Sequence, residues 1–259
     1  MISVVQLGTV DYASGLRLQE QLVALRKEEK IGDLLLLLEH SRVITLGRNA
    51  KASNVIASPE LLAQRGVELF ACDRGGDVTF HGPGQIVGYP IFDLRRFAAA
   101  DEKRKTLGAV EFVRCLEEVL CRTCADFAIP TKRSPGLTGV WTNQETSEAK
   151  IAAIGVHISR SVTSHGFALN VNTDLNDFDL IIPCGISSKP VTSMQHELGH
   201  PLDLNLVAES VSRNFGKVFS SQMLWVETLD ALLGRTVGVP VQSPQELRKF
   251  HKEDDHTWA

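Results

Sequence analysis

The sequence predicts a single α+β domain with a helical C-terminal portion. Strand-like and helix-like runs alternate up to Cys184, helical patterns dominate beyond it, and no internal repeat or low-complexity linker divides the chain. With 259 residues there is ample length to bury a core.

Each element has its own signal. Ile2 to Leu7 reads as a strand and Leu16 to Lys27 as an amphipathic helix. Leu34 to Leu38 and Val43 to Leu46 look like a strand pair turned at Ser41-Arg42. Ser58-Pro59-Glu60 is a helix start, an N-cap followed by proline at the first helical position, and Gly66 ends that helix. Val67 to Phe70, Val78 to Phe80 and Ile86 to Tyr89 read as strands separated by glycine-rich loops. A long helix is expected over Leu107 to Phe127, with the stripe Phe112, Val113, Leu116, Val119, Leu120 and Phe127. Ile151 to Ile158 and Val162 to Val171 are strand-like. Ser193 to Leu198, Leu206 to Phe219 and Glu227 to Leu233 are helix-like. The charged end, Arg248 to Ala259, is expected to fray.

Composition bounds the partners. A net charge of -4 with 22% charged residues creates no global attraction to nucleic acid or anionic membrane. Met1 to Leu7 lack the features of a signal peptide, and the longest apolar run, Leu34 to Leu38, is too short to span a bilayer. Five cysteines at irregular spacing suit a reducing cytoplasm better than a disulfide framework.

Three patterns could carry chemistry. Cys121-Arg122-Thr123-Cys124 has the C-x-x-C form, but both cysteines fall late in the long helix, whereas a redox pair sits at a helix N-terminus. A core thiol at Cys124 with Cys121 as bystander is the simpler expectation. His196-Glu197-Leu198-Gly199-His200 matches the zinc-protease H-E-x-x-H, which needs both histidines on one helical face. Thr192 and Gln195 are expected to start a helix as a capping box. Gly199 and Pro201 should stop it before His200, so no metal is expected there.

The third pattern is distributed. Arg74-Gly75-Gly76-Asp77-Val78-Thr79-Phe80-His81-Gly82-Pro83-Gly84-Gln85 sets five glycines or prolines around an Arg, a Thr, a His and a Gln. Lys150-Ile151-Ala152-Ala153-Ile154-Gly155 opens a strand with a lone lysine. Ser164-His165-Gly166-Phe167-Ala168-Leu169-Asn170 follows, then Ile182-Pro183-Cys184-Gly185-Ile186. Taken singly, these are turn glycines, a strand-end lysine and a buried thiol.

Together they resemble the lipoyl (octanoyl) transferases that take octanoyl groups from acyl carrier protein. The resemblance runs from Leu36-Leu37-Leu38-Glu39-His40 and Thr45-Leu46-Gly47-Arg48 to about Gly234. It is most specific in the Arg74 to Gln85 loop with Tyr89-Pro90-Ile91, and in Pro183-Cys184-Gly185-Ile186. Val191-Thr192-Ser193-Met194 also fits. His157 stands where that pattern has arginine, and Ser161 where it has an aromatic or larger residue; these departures concern the substrate rim. The resemblance implies the biotin and lipoate protein ligase fold, a mixed sheet flanked by helices, over residues 1–235, with 236–259 as a partly disordered extension.

It also implies a mechanism without a cofactor. Cys184 would be the nucleophile and Lys150 its basic partner. Arg74, Gly75, Gly76, Asp77, Val78, Thr79, Phe80, His81, Ala153, Ile154, Gly155, Gly166, Phe167 and Ala168 would line the acyl and carbonyl site. Arg74 and His81 have an alternative role, anchoring the loop through hydrogen bonds. The chemistry fits the residue types. A free thiol is largely protonated at neutral pH, a nearby ammonium favours the thiolate, and glycine lets backbone N–H groups approach a reacting carbonyl. The implied partners are octanoyl-acyl carrier protein as donor and, as acceptors, lipoyl domains of 2-oxoacid dehydrogenase E2 subunits and the glycine cleavage H protein. An acidic carrier would need a local basic patch, for which Arg95-Arg96, Lys103-Arg104-Lys105 and Lys132-Arg133 are candidates. Two readings compete: an ATP-dependent lipoate or biotin ligase of the same fold, and a non-catalytic module that binds acyl carrier or lipoyl domains. A requirement for ATP would mark the first, and absence of turnover the second.

Overall fold

The leucine run that is too short for a membrane is buried on both sides within a sheet. In the computed structural model, which describes residues 1–99, 104–143, 148–186 and 189–229, it forms strand β2, Asp33–His40. Leu35 and Leu37 enter one apolar cluster, while Leu34, Leu36 and Leu38 enter another. This is the period-two alternation of a strand covered on both faces.

Around β2 lies an eight-stranded mixed sheet. It comprises β1 (Ile2–Val10), β6 (Gln85–Ile91), β7 (Thr131–Ser134), β8 (Leu137–Thr142), β9 (Lys150–Ser159), β10 (Val162–Asn170) and β11 (Met223–Trp225). Its order is β11-β1-β2-β6-β10-β9-β8-β7. The pairings of β1 with β11 and with β2 are parallel, and the others are antiparallel. A three-stranded sheet is built from β3 (Val43–Leu46) between β4 (Glu68–Ala71) and β5 (Val78–His81).

Helices cover both faces of the large sheet. Helix α1 (Tyr12–Lys27) buries Leu18 and Leu22 against Val5, Leu36, Val87 and Ala168. On the opposite face α3 (Ala109–Asp126) and α5 (Leu204–Val218) pack Phe112, Leu116, Leu120, Val211 and Phe215 over Ile86, Ala152 and Leu169. Short helices α2 (Pro59–Arg65) and α4 (Met194–Leu198) link the remaining pieces. Helix α2 is capped as expected: Ser58 accepts from the Leu61 amide, and Gly66 closes it at φ 63°. Among the described residues no helix is long and apolar enough to cross a membrane.

Several expectations require correction. β2 and β3 are not a pair; they belong to different sheets, because the burial of β2 on both faces commits it to β1 and β6. Helix α1 begins at Tyr12, four residues before Leu16, because Asp11 caps it by accepting from the Ser14 amide. The cap of α4 is Ser193, which accepts from the His196 amide; Gln195 instead donates its backbone amide to Val171. Strands β7, β8 and β11 lacked a readable signal, since each is short and β8 is broken by Gly139. Within the long helix, Val113 and Phe127 are only half-buried, whereas Glu117 is fully buried. The predicted run Glu227 to Leu233 lies mostly outside the described residues, as does the extension 236–259.

Candidate active site

Lys150 and Cys184 meet because two chain segments are tied to a common neighbour. The Lys150 amide donates to the Pro190 carbonyl at 2.8 Å, and the Thr192 amide returns to the Lys150 carbonyl at 2.9 Å. The chain that leaves the cysteine turn is therefore tied to the start of β9. On the other side Ile182 donates to the Asn54 carbonyl at 2.7 Å, and Val55 bridges Ile181. Held from both sides, the Lys150 amine donates to Cys184 Sγ at 3.2 Å. It also sits 4.7 Å from the Trp141 ring centroid, its cross-strand partner in the β8–β9 pairing. Gly139, on the neighbouring strand, is required by its own φ of 117° and by the Ala152 carbonyl, which a Cβ there would meet at 2.6 Å.

Cys184 has the left-handed backbone, φ 56° and ψ 20°, inside the short 3-10 turn Pro183–Gly185. A non-glycine residue in that region costs roughly 1–3 kcal/mol, so the surrounding contacts must impose it. The thiol is half-buried, whereas the Lys150 side chain is buried.

Both residues open onto a cavity of about 340 Å³ between the large sheet and the small one. Its floor is made of small residues. Ala153 pairs with Ala168 and Gly155 with Gly166 across β9 and β10, so an acyl chain could lie almost on the backbone. Arg74, Gly76, Asp77, Thr79, His81, Ile154 and Phe167 also line the cavity. Gly75, Val78 and Phe80 do not. Gly75 donates to the Val156 carbonyl at 3.0 Å, and Val78 and Phe80 take the opposite face of β5, in the core under the small sheet.

Arg74 and His81 do anchor the loop, as the alternative reading held. Arg74 donates through Nη2 to the Thr45 carbonyl at 2.7 Å and to its hydroxyl at 2.8 Å. Gln85 donates to Asn170 Oδ1 at 2.8 Å, so its Oε1 accepts from His81 Nδ1 at 2.8 Å. That leaves His81 Nε2 unprotonated. Burial, reinforced by the neighbouring His40, pushes the His81 pKa down to about 3.

The cavity has walls that sequence reasoning did not assign. Tyr12, Asn49, Tyr89, His165, Ile186, Gly136 and the first residues of β8, Leu137 and Thr138, all contribute. Tyr12 stacks on His81 with ring centroids 6.2 Å apart, and the Tyr89 hydroxyl donates to His40 Nε2 at 2.6 Å. His165 contacts Asp73 at 2.7 Å. Tyr89 and His165 lay inside the quoted motifs, but Tyr12 begins a helix far from any of them. Only the sheet brings it to the site.

The other motifs fall elsewhere. Cys124 is fully buried beneath α3, and burial pushes its thiol pKa well above the usual range. All five cysteines are free. Helix α4 ends at Leu198 with Gly199 at φ 77°, so His200 lies past the helix, and both His196 and His200 are exposed. His157 stands between Asp73 at 2.8 Å and Arg48 at 3.0 Å and does not line the cavity; Ser161 is in the β9–β10 turn with φ 66°. Much of the basic surface is already paired: Arg95 with Asp93, Lys132 with Glu148, and Arg133 with Glu118. Lys103 lies outside the described residues.

Known proteins share this chain's sequence and architecture. Residues 11–216 match the lipoyl protein ligase A/B catalytic domain. The chain is 61% identical over 256 residues to an octanoyltransferase of Koribacter versatilis, covering 99% of both proteins. It is 57% identical over 237 residues to that of Acidobacterium capsulatum, covering 90% of this chain and 96% of the other. In fold it is similar to a bipartite lipoate protein ligase from Thermoplasma acidophilum, at TM-score 0.66 and 12% identity over 97% of this chain and 92% of the other. It is likewise similar to a lipoate-protein ligase A bound with ATP, at TM-score 0.65 and 12% identity over 98% and 95%. The chain belongs to the octanoyltransferase family of acyl-transferring enzymes, built on the lipoyl protein ligase A/B catalytic domain.

Proposed function

We propose that this octanoyltransferase works through a covalent octanoyl thioester on Cys184, with Lys150 carrying the proton. The observation that supports the reading most directly is the 3.2 Å contact from the Lys150 amine to Cys184 Sγ at the edge of the cavity. The thiolate attacks the carbonyl of octanoyl-acyl carrier protein, and the C–S bond to the carrier's pantetheine breaks. The departing sulfur takes the proton from the Lys150 ammonium. A lysine ε-amine of the acceptor then attacks the Cys184 thioester while neutral Lys150 removes a proton from it. Amide formation expels the Cys184 thiolate and restores the ion pair. One proton passes from acceptor amine to donor thiol, and no nucleotide enters.

The proposed acceptors are lipoyl domains of 2-oxoacid dehydrogenase E2 subunits and the glycine cleavage H protein, and the proposed compartment is the cytoplasm. A second role is assigned to the glycine-rich loop and the small-residue floor, which would hold the carbonyl and the acyl chain.

The test is intact-mass spectrometry after mixing the enzyme with octanoyl-acyl carrier protein and no ATP. A gain of one octanoyl unit mapping to Cys184, discharged by added lipoyl domain, is expected. Wild-type turnover by Cys184→Ala would refute the covalent route, and turnover only with ATP would favour a ligase.

A further inference from the structure

The left-handed Cys184 must be held by something other than its own preference. Next to it, Gly185 is also left-handed at φ 67°, and the turn is closed by two backbone hydrogen bonds, Gly185 N–H to the Ile182 carbonyl at 3.1 Å and Ile186 N–H to the Pro183 carbonyl at 3.0 Å. Those bonds lie within the turn and do not fix it to the enzyme.

The Asp77 carboxylate holds Asn54, whose carbonyl fixes the turn by accepting from the Ile182 amide at 2.7 Å. Its Oδ1 accepts from the Val78 amide at 2.8 Å and from the Lys51 amide at 3.2 Å, and its Oδ2 accepts from Asn54 Nδ2 at 2.6 Å. A Cβ on Gly185 would stand 2.7 Å from Asp77 Oδ2 and 3.2 Å from Asn54 Nδ2. The side-chain pair therefore lies flush against the residue after the thiol. Asn54 is itself buried, and its carbonyl accepts from Ile182. One residue thus grips the cysteine turn with its backbone and braces the neighbouring carboxylate with its side chain.

We infer that Asn54 and Asp77 form a latch that positions Cys184 for acyl attack, and that Asp77 acts on this turn rather than on substrate. The inference deepens the Cys184 reading and rests on it. With its oxygens engaged by three N–H donors, Asp77 is occupied as an acceptor. Gly185 is required because any side chain there would meet the latch as well as the strained φ.

The hydrogen-bond pattern suggests a swap. Asn54→Asp alone sets two carboxylates against each other, and Asp77→Asn alone sets two amides. In the double variant Asn54→Asp/Asp77→Asn, the amide now at 77 can still accept from Val78 and Lys51 through its oxygen. Its nitrogen can donate to the carboxylate at 54. The pairing is restored with donor and acceptor exchanged.

The experiment measures two rates on wild type, both single variants and the double variant: octanoylation of Cys184 by octanoyl-acyl carrier protein, and its alkylation by iodoacetamide, read by peptide mass. Near-UV circular dichroism verifies folding. Each single variant should lower kcat about tenfold or more while KM for the donor changes little, since misplacement of a nucleophile acts on the chemical step. The double variant should recover most of the loss. Wild-type octanoylation in Asn54→Asp, or a folded double variant no better than the singles, would overturn the latch. Alkylation separates this from the parent reading. If Cys184→Ala still turns over, the covalent route fails, whereas the latch is still judged by whether alkylation at Cys184 falls in the singles and returns in the swap.

Discussion

At the residue scale the proposed chemistry rests on the Lys150 amine and the Cys184 sulfur. Lys150 is buried, yet it has two partners, Cys184 Sγ at 3.2 Å and the face of Trp141 at 4.7 Å. So placed, the amine can donate to the sulfur and lie over the face of the indole. Lys150→Met removes the charge and should slow both Cys184 alkylation at neutral pH and octanoyl transfer by tenfold or more, on the scale of about 10²–10⁴ for general acid–base groups. Lys150→Arg separates the two roles, because a guanidinium keeps its charge but cannot take up a proton near neutral pH. Its alkylation should stay within a few-fold of wild type while transfer to the acceptor lysine collapses. Unchanged transfer in Lys150→Met would reduce this residue to a strand-end lysine.

At the element scale β9 and β10 contribute small residues to the cavity wall. Ala153, Ala168, Gly155 and Gly166 form paired rows on one face, while Ala152, Phe167 and Leu169 enter the main core with Ile154 packed against it; Ile154 and Phe167 border the cavity as well. Neighbouring Gly88 performs the complementary task, since a side chain there would collide with the Phe167 ring. The alternation lets one strand pair present a packed surface to α3 and α5 and an open floor to the ligand. Ala168 is the informative position, because it pairs with Ala153 in the middle of that floor. Ala168→Val should shorten the acyl chain the cavity accepts. The ratio of kcat/KM for octanoyl over hexanoyl donors should fall by about tenfold, the scale on which a methylene is discriminated in an apolar pocket. An unchanged ratio in a folded variant would place the acyl chain elsewhere.

At the scale of the whole molecule two sheets meet over a buried polar cluster. His40 on β2 and His81 on β5 face each other with centroids 5.9 Å apart, and Tyr12 from α1 contacts both. Burial pushes His40 down to about 4 and His81 down to about 3. Both are therefore neutral in the folded protein, whereas the unfolded chain titrates near ~6.5. The unfolded state binds more protons below that value, so stability is complete above about pH 6.5 and falls as the solution is acidified toward the folded pKa values. Urea unfolding should show a loss on the order of 3 kcal/mol between about pH 7 and pH 5 for the two together. His40→Gln should weaken that dependence, and a flat wild-type profile would mean that the histidines are not held neutral.

The sequence by itself determined the class of fold and most of the elements, and its resemblance to a family singled out Lys150 and Cys184 as the pair to look for. Helix ends were legible because capping is local: Ser58 with Pro59 starts α2, and Gly199 terminates α4 before His200. The helix end expected from Gly199 and Pro201 leaves His200 beyond the helical face that an H-E-x-x-H match needs. The Arg74 to His81 stretch was legible as a ligand loop, but not its division into faces. The β5 alternation sends Thr79 and His81 to the cavity and Val78 and Phe80 to the core. The tertiary structure alone decided that Lys150 touches Cys184, that β2 and β3 part into separate sheets, that Tyr12 lines the same cavity and that Asn54 lies against the cysteine turn. The physical reason is range. Caps, turns and periodicity act over a few residues along the chain, whereas strand pairing joins residues dozens apart, and nothing in either partner's local sequence encodes the other.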